Sequence, residues 1–129
     1  MILVDSCVWI DFLSGKDERG LGELLAEGTA AVCGTVLAEV LSGVRSSSQV
    51  KMLRKMFLAL PYYEEGRDVF LRSADLFAEA RSAGSKVPLS DCVIAGICLL
   101  NELPLLTNDK HFSRFKGLVL TPPERSRRK

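Results

Sequence analysis

Short apolar runs punctuate this chain, separated by longer stretches of helical periodicity, and that alternation admits few folds. Residues 1–4, 30–33, 105–107 and 117–120 are nearly continuous hydrophobic strings. Strands that are apolar on both faces belong in a sheet covered on both sides; a half-exposed antiparallel sheet would instead alternate apolar and polar residues. Strands alternating with helices imply βαβ units joined in parallel. The expected architecture is a three-layer α/β/α sandwich around a central parallel sheet.

The helices are bounded by turn and cap signals. A first helix follows Asp5 and breaks at Gly15 and Lys16; a second is expected over residues 18–27, closed by Gly28. Thr35 is placed as the N-cap of a helix that carries Glu39 and ends near Gly43. Ser46 opens the next helix, in which Val50, Leu53, Phe57 and Leu60 share one face while Lys51, Arg54 and Lys55 lie on the other. Pro61 stops it, and Tyr62 and Tyr63 form a short strand. A long helix over 67–83 has Phe70, Ala74 and Phe77 as its expected inner face, and Ser90 is expected to cap an apolar helix over 91–101. Pro122 and Pro123 end the last strand. A domain is therefore expected over 1–123, with a basic tail at 124–129.

A chain of 129 residues, 47% hydrophobic and 26% charged, suits one compact domain with a real core. No apolar run is long enough to span a bilayer, and the N-terminal residues lack a basic n-region and a cleavage signal, which reads as a cytoplasmic protein without membrane association. Cys7, Cys33, Cys92 and Cys98 form no Cys-x-x-Cys pair and read as small buried hydrophobes in a reducing compartment.

Four acids interrupt the apolar pattern: Asp5 after the first strand, Glu39 among Val36, Leu37, Val40 and Leu41, Asp91 in the first turn of its helix, and Asp109 after the strand at 105–107. A carboxylate that loses hydration in a forming core needs a partner or a cation. Ligands of open parallel sheets bind outside the carboxyl ends of the strands, where Asp5 and Asp109 fall. The helix macrodipole is expected to keep Asp91 ionised at neutral pH. An all-oxygen site of this kind suits Mg²⁺ or Mn²⁺, which can activate a water and neutralise a phosphodiester in hydrolysis. Setting the four acids aside leaves 12 acidic against 17 basic residues, about +5, which favours an anionic partner.

The local sequences sharpen this. Val4-Asp5-Ser6-Cys7-Val8-Trp9-Ile10 with Asp11-Phe12-Leu13, Leu37-Ala38-Glu39-Val40-Leu41-Ser42-Gly43, Leu89-Ser90-Asp91-Cys92-Val93-Ile94-Ala95 and Leu106-Thr107-Asn108-Asp109-Lys110-His111-Phe112 resemble, in order and spacing, the PIN-domain ribonucleases, and within them the VapC-type toxins of toxin–antitoxin pairs. The resemblance implies a PIN-like fold and a metal-dependent endoribonuclease. It makes Asp5, Asp91 and Asp109 metal ligands and adds Glu39 as a fourth catalytic acid, with Ser6 and Thr107 supporting the pocket by hydrogen bonds. It also implies an RNA substrate, cleavage leaving 5′-phosphate and 3′-hydroxyl ends, a cognate antitoxin and a homodimer. The chain departs from the pattern at His111, where many relatives carry a further acid.

Read singly, each acid has a plainer role: Asp5 and Asp91 as helix-start residues, Glu39 as a solvated helix side chain. His111 reads as solvated or phosphate-contacting, Trp9 and Phe12 as core or interface, and Lys51, Arg54 and Lys55 as a solvated face. The rival readings are a metal-dependent phosphatase or DNA nuclease, and a non-catalytic PIN-fold interaction domain. An aspartyl-nucleophile phosphatase would want a second acid at position 7, which is Cys.

Overall fold

The computed structural model of the chain describes residues 1–121; the Pro122-Pro123 terminator and the basic tail at 124–129 lie outside the described residues. The elements run in chain order as β1 (Ile2–Val4), α1 (Ser6–Leu13), α2 (Leu21–Glu27), β2 (Ala30–Cys33), α3 (Gly34–Ser42), α4 (Ser47–Leu58), β3 (Tyr62–Tyr63), α5 (Arg67–Ser82), α6 (Leu89–Asn101) and β4 (Leu105–Leu106). A 3-10 helix over Lys110–Arg114 follows.

The sheet is parallel throughout, with the order β3-β2-β1-β4. β1 lies inside it, Leu3 facing Ala31 on one side and Leu105 on the other. Both positions suit its composition, since Leu3 and Val4 are fully buried and β2 is buried at all four residues. Right-handed crossovers place α1 to α4 on one face, because β1, β2 and β3 step in one direction, and place α5 and α6 on the other as the chain returns past β1 to β4. The expected α/β/α sandwich is the observed fold.

The last expected strand contracts. Residues 117–120 reach β4 through a parallel bridge between Leu105 and Leu120, with Leu105 N–H donating to the Val119 carbonyl at 2.8 Å. A turn precedes the bridge: Leu118 N–H donates to the Phe115 carbonyl at 3.2 Å, and Gly117 has φ +87°. That left-handed backbone is one only glycine adopts freely.

Three helix starts differ from expectation. α3 begins at Gly34, one residue before Thr35, and its free amide is satisfied from a distance: Thr35 N–H donates to Glu65 Oε2 at 2.6 Å. α6 begins at Leu89, so Ser90 sits inside its first turn and Pro88 takes the cap position. α2 starts at Leu21 and not at 18, because the Asp17 carboxylate accepts from Leu21 N–H at 2.7 Å and Gly22 N–H at 3.0 Å. Ser46 does cap α4, its hydroxyl accepting from Gln49 N–H at 3.3 Å.

In α4 the expected face holds: Leu53 and Phe57 are buried, and Phe57 meets the indole of Trp9 edge-on, 5.0 Å between centroids. In α5 it is rotated by one residue. Val69, Ser73 and Leu76 face inward, whereas Phe70 is 52% exposed and Ala74 is also exposed; of the expected face only Phe77 packs, partly buried, against the core. The reason lies across the interface. α6 is buried from Cys92 to Cys98, and a Cβ on its Gly96 would stand 3.1 Å from Ser73 Oγ and 3.4 Å from the Val69 carbonyl. Close approach of the two helices therefore selects the small Ser73, whose hydroxyl is satisfied by the Val69 carbonyl at 2.7 Å, over the bulkier Phe70 stripe.

This contact makes a test of the fold. Gly96→Val is expected to destabilise the protein by roughly 1–3 kcal/mol through overpacking, read as a drop of several degrees in Tm by thermal denaturation. An unchanged Tm would mean that the two helices do not depend on this approach.

Candidate active site

The loops after β1 and β4 leave the sheet side by side, because those strands are adjacent and parallel. Asp5 ends β1 and is itself the N-cap of α1, its Oδ1 accepting from Ser6 N–H at 2.8 Å. Its main-chain N–H donates to the Leu106 carbonyl at 2.9 Å, which ties the start of one loop to the other. Only 6% of Asp5 is exposed, yet its second oxygen is well supplied with donors. Oδ2 accepts from the Thr107 hydroxyl at 2.6 Å and from the Cys7 thiol at 3.4 Å. Ser6 thus supports the pocket through its backbone N–H, and Thr107 through its side chain.

Thr107 continues the chain of bonds to the next acid. Its Oγ1 accepts from Asp109 N–H at 3.0 Å. Asp109 in turn caps the 3-10 helix, Oδ1 receiving His111 N–H at 2.9 Å and lying 3.0 Å from His111 Nδ1. His111 is therefore neither purely solvated nor free of the site: it holds one oxygen of Asp109, while Oδ2 accepts no hydrogen bond among the described residues.

Asp91 arrives from the opposite helical layer. α6 runs back along the sheet to enter β4, so its first turn lies at the carboxyl edge, and there Asp91 senses the charges of Asp5, Asp109 and Glu39. Glu39 reaches the same region from α3, which packs on α6. The fold thus brings all four sequence-picked acids into electrostatic contact. Burial first, then the charges of Asp5, Asp109 and Glu39, raise the Asp91 carboxyl from 3.8 to about 6, with His111 opposing. The helix dipole expected to favour ionised Asp91 is outweighed, since desolvation and three like charges act on the same carboxyl.

The donor set fits a hard divalent cation. Asp91 is partly desolvated and its carboxylate accepts no hydrogen bond among the described residues, so a cation would stabilise its charged form. Among the described residues no three His, Cys, Asp or Glu side chains converge closely enough to cage an ion alone. Mg²⁺ is usually held by one or two carboxylates together with waters and substrate phosphates.

Several neighbours escaped sequence reasoning. Cys7 is not a plain core residue like the buried Cys92 and Cys98, for its sulfur bonds Asp5 and accepts from Asn108 N–H at 3.4 Å. Burial, with the charge of Asp5, pushes its thiol up to about 11, so it stays protonated as a donor. Asp11, half-buried on α1, accepts from Asn108 Nδ2 at 3.0 Å, and Asn108 Oδ1 accepts from Arg19 Nε. The one available signal was helical spacing, since Cys7 and Asp11 stand four apart and share a face of α1.

Comparison with known proteins agrees with the fold. The family model described as the PIN domain matches residues 2–118. A chain of a toxin–antitoxin complex from Klebsiella pneumoniae superposes with a TM-score of 0.76 at 24% identity, covering 95% of this chain and 98% of that one. A chain of VapBC2 from Rickettsia felis, bound to a promoter DNA fragment, gives 0.79 at 20% identity, with 94% and 98% covered. A chain of DNA-bound VapBC from Salmonella typhimurium gives 0.81 at 19%, again with 94% and 98% covered. At these identities the likeness is one of fold. No curated protein sequence matches the chain significantly.

The cluster predicts an unusual pH response. Because the folded value of Asp91 lies above the ordinary 3.8, its protonated form favours folding; that contribution is complete below about pH 4 and is lost as pH rises through about 6. Asparagine imitates the neutral form. In EDTA, Asp91→Asn is expected to melt above the wild type at pH 7.5, with the margin closing as pH falls toward 4. A margin independent of pH, followed by calorimetry, would show that Asp91 is not held among like charges.

Proposed function

Since the chain belongs to the PIN-domain family, we propose that it is a metal-dependent endoribonuclease, the toxin of a type II toxin–antitoxin pair. The observation that carries this reading is Asp91: a desolvated carboxylate, with no hydrogen-bond donor among the described residues, facing the charges of three other acids. Asp5, Asp91 and Asp109 are the residues that would hold Mg²⁺ or Mn²⁺. When bound, the ion lowers the pKa of a water and neutralises phosphate charge.

The protein's own groups divide the remaining work. Asp5 is fixed by three donors, from Ser6, Thr107 and Cys7, and so offers its remaining lone pairs in one orientation. Thr107 couples Asp5 to Asp109, holding the two carboxylates in register. Glu39, on a different helix, is the acid that would orient a water or assist the ion. No side chain here is an activated nucleophile, because the one thiol at the pocket stays protonated at neutral pH. Attack by water is the reaction left to such a site.

RNA is the substrate favoured by the basic excess outside the pocket, about +5 once the four acids are set aside. A cognate antitoxin partner is supported by the similar structures, which are toxin–antitoxin complexes. A homodimer is supported by α5, whose rotated face leaves Phe70 52% and Leu71 64% exposed. A cytoplasmic location fits that role, and among the described residues no helix is long and apolar enough to cross a membrane.

Cleavage of a labelled RNA should require Mg²⁺ or Mn²⁺ and stop in EDTA. Asp5→Asn and Asp91→Asn, which keep size while removing charge, should each lower the single-turnover rate by about 10²- to 10³-fold, the scale of losing several kcal/mol of charge stabilisation. Full cleavage in EDTA, or wild-type rates in both variants, would refute the assignment. In cells, expression of the chain alone should arrest growth, and co-expression of its partner should restore it. Unimpaired growth at high soluble expression would favour a non-catalytic interaction domain.

A further inference from the structure

We propose that Arg19 is a substrate-phosphate contact at the rim of the carboxylate pocket, set in place by Asn108. The proposal rests on the ribonuclease reading above and extends it to a residue outside the acidic motifs.

Arg19 lies between α1 and α2 in a connection held at both ends. On the α1 side, Lys16 N–H donates to the Asp11 carbonyl at 2.8 Å. On the α2 side, Asp17 accepts from Leu21 and Gly22, and Gly20 turns the chain with φ +78°. The side chain is anchored as well. Arg19 Nε donates to Asn108 Oδ1, Asn108 Nδ2 donates to Asp11 Oδ2 at 3.0 Å, and Asn108 N–H donates to Cys7 Sγ at 3.4 Å. Asn108 stands between Thr107 and Asp109 in sequence, so this anchor ties the guanidinium to the loop that carries them.

The bonding leaves the cation available. Only Nε is used, and the terminal guanidinium nitrogens have no partner among the described residues. Asp11 is joined to Arg19 through the neutral amide of Asn108 and forms no direct ion pair with it, so the positive charge is not consumed. An acidic pocket repels a polyanion, and a preset cation at its edge offsets that repulsion where the flanking phosphates enter. The planar guanidinium fork matches phosphate oxygens, and a side chain already ordered loses little freedom on binding. Lys110 also adjoins Asp109, but it is exposed and its ammonium has no anchoring bond among the described residues.

The test uses the full chain, Mg²⁺ and a single-stranded RNA of defined sequence. Arg19→Gln removes the charge but retains an amide donor toward Asn108. It should raise KM about tenfold, the scale of one charge-assisted hydrogen bond, with kcat within about twofold. The log–log salt dependence of kcat/KM should become shallower by roughly 0.7, one phosphate contact on a single strand. Asn108→Ala, which releases Arg19, should reproduce the rise in KM, and Arg19→Lys should fall between. Circular dichroism melts check that each variant folds. If the wild type cleaves RNA while Arg19→Gln keeps both its KM and its salt slope, the phosphate contact is wrong and the ribonuclease reading stands. If Asn108→Ala loses activity while Arg19→Gln does not, the network only braces the loop and the proposal is also overturned. A wild-type chain that neither binds nor cleaves RNA overturns both readings.

Discussion

Parallel pairing of β1 with β2 on one side and β4 on the other is the constraint from which the site follows. Strands that run the same way end at the same edge, so the loops after β1 and β4 emerge together. The connections then diverge, since β1 continues toward β2 through one helical layer while β4 is reached through the other. The chain changes direction between β1 and β4, the place where open parallel sheets bind their ligands, and Asp5, Thr107 and Asp109 stand there. Asp91 joins them because a helix that feeds a parallel strand must run back along it, which places the start of α6 at the edge where β1 and β4 end.

The carboxylates gathered there do not share one environment. Asp5 is the most buried but is surrounded by donors, an arrangement that compensates a desolvated anion. Asp91 is less buried, lacks such donors and carries the burden of its neighbours' charge, which raises it to about 6. Asp5 is thereby an organising centre that stitches two loops, and Asp91 is the group with the most to gain from a cation. The repulsion within the cluster is what a divalent ion would relieve.

Much of this was legible beforehand. Nearly unbroken apolar strands implied a parallel sheet, and the four acids stood out because each interrupts an apolar context. Other features were hidden because their partners are far apart in sequence. Thr35 is a good local N-cap, but Glu65, thirty positions on, takes the role through a short bond from β3's trailing loop. Phe70, Ala74 and Phe77 make a plausible apolar stripe, but Gly96 on α6 leaves room only for a small side chain, and the helix turns Ser73 inward. Cys7 has an apolar local context and a polar three-dimensional one.

What the sequence determined by itself was periodicity and chemistry: which segments are strands or helices, and which side chains are too polar for their surroundings. These are local properties, written in spacing and composition. Tertiary structure alone decided which donors reach which carboxylates, which oxygen atoms stay unbonded, and how far charge and burial displace Asp91. It also decided that Arg19 and Asp11, eight positions apart, meet through Asn108 of the loop after β4. Hydrogen bonds and Coulomb forces act over a few ångströms of space whatever the distance along the chain, so only the folded arrangement of the strands could assign them.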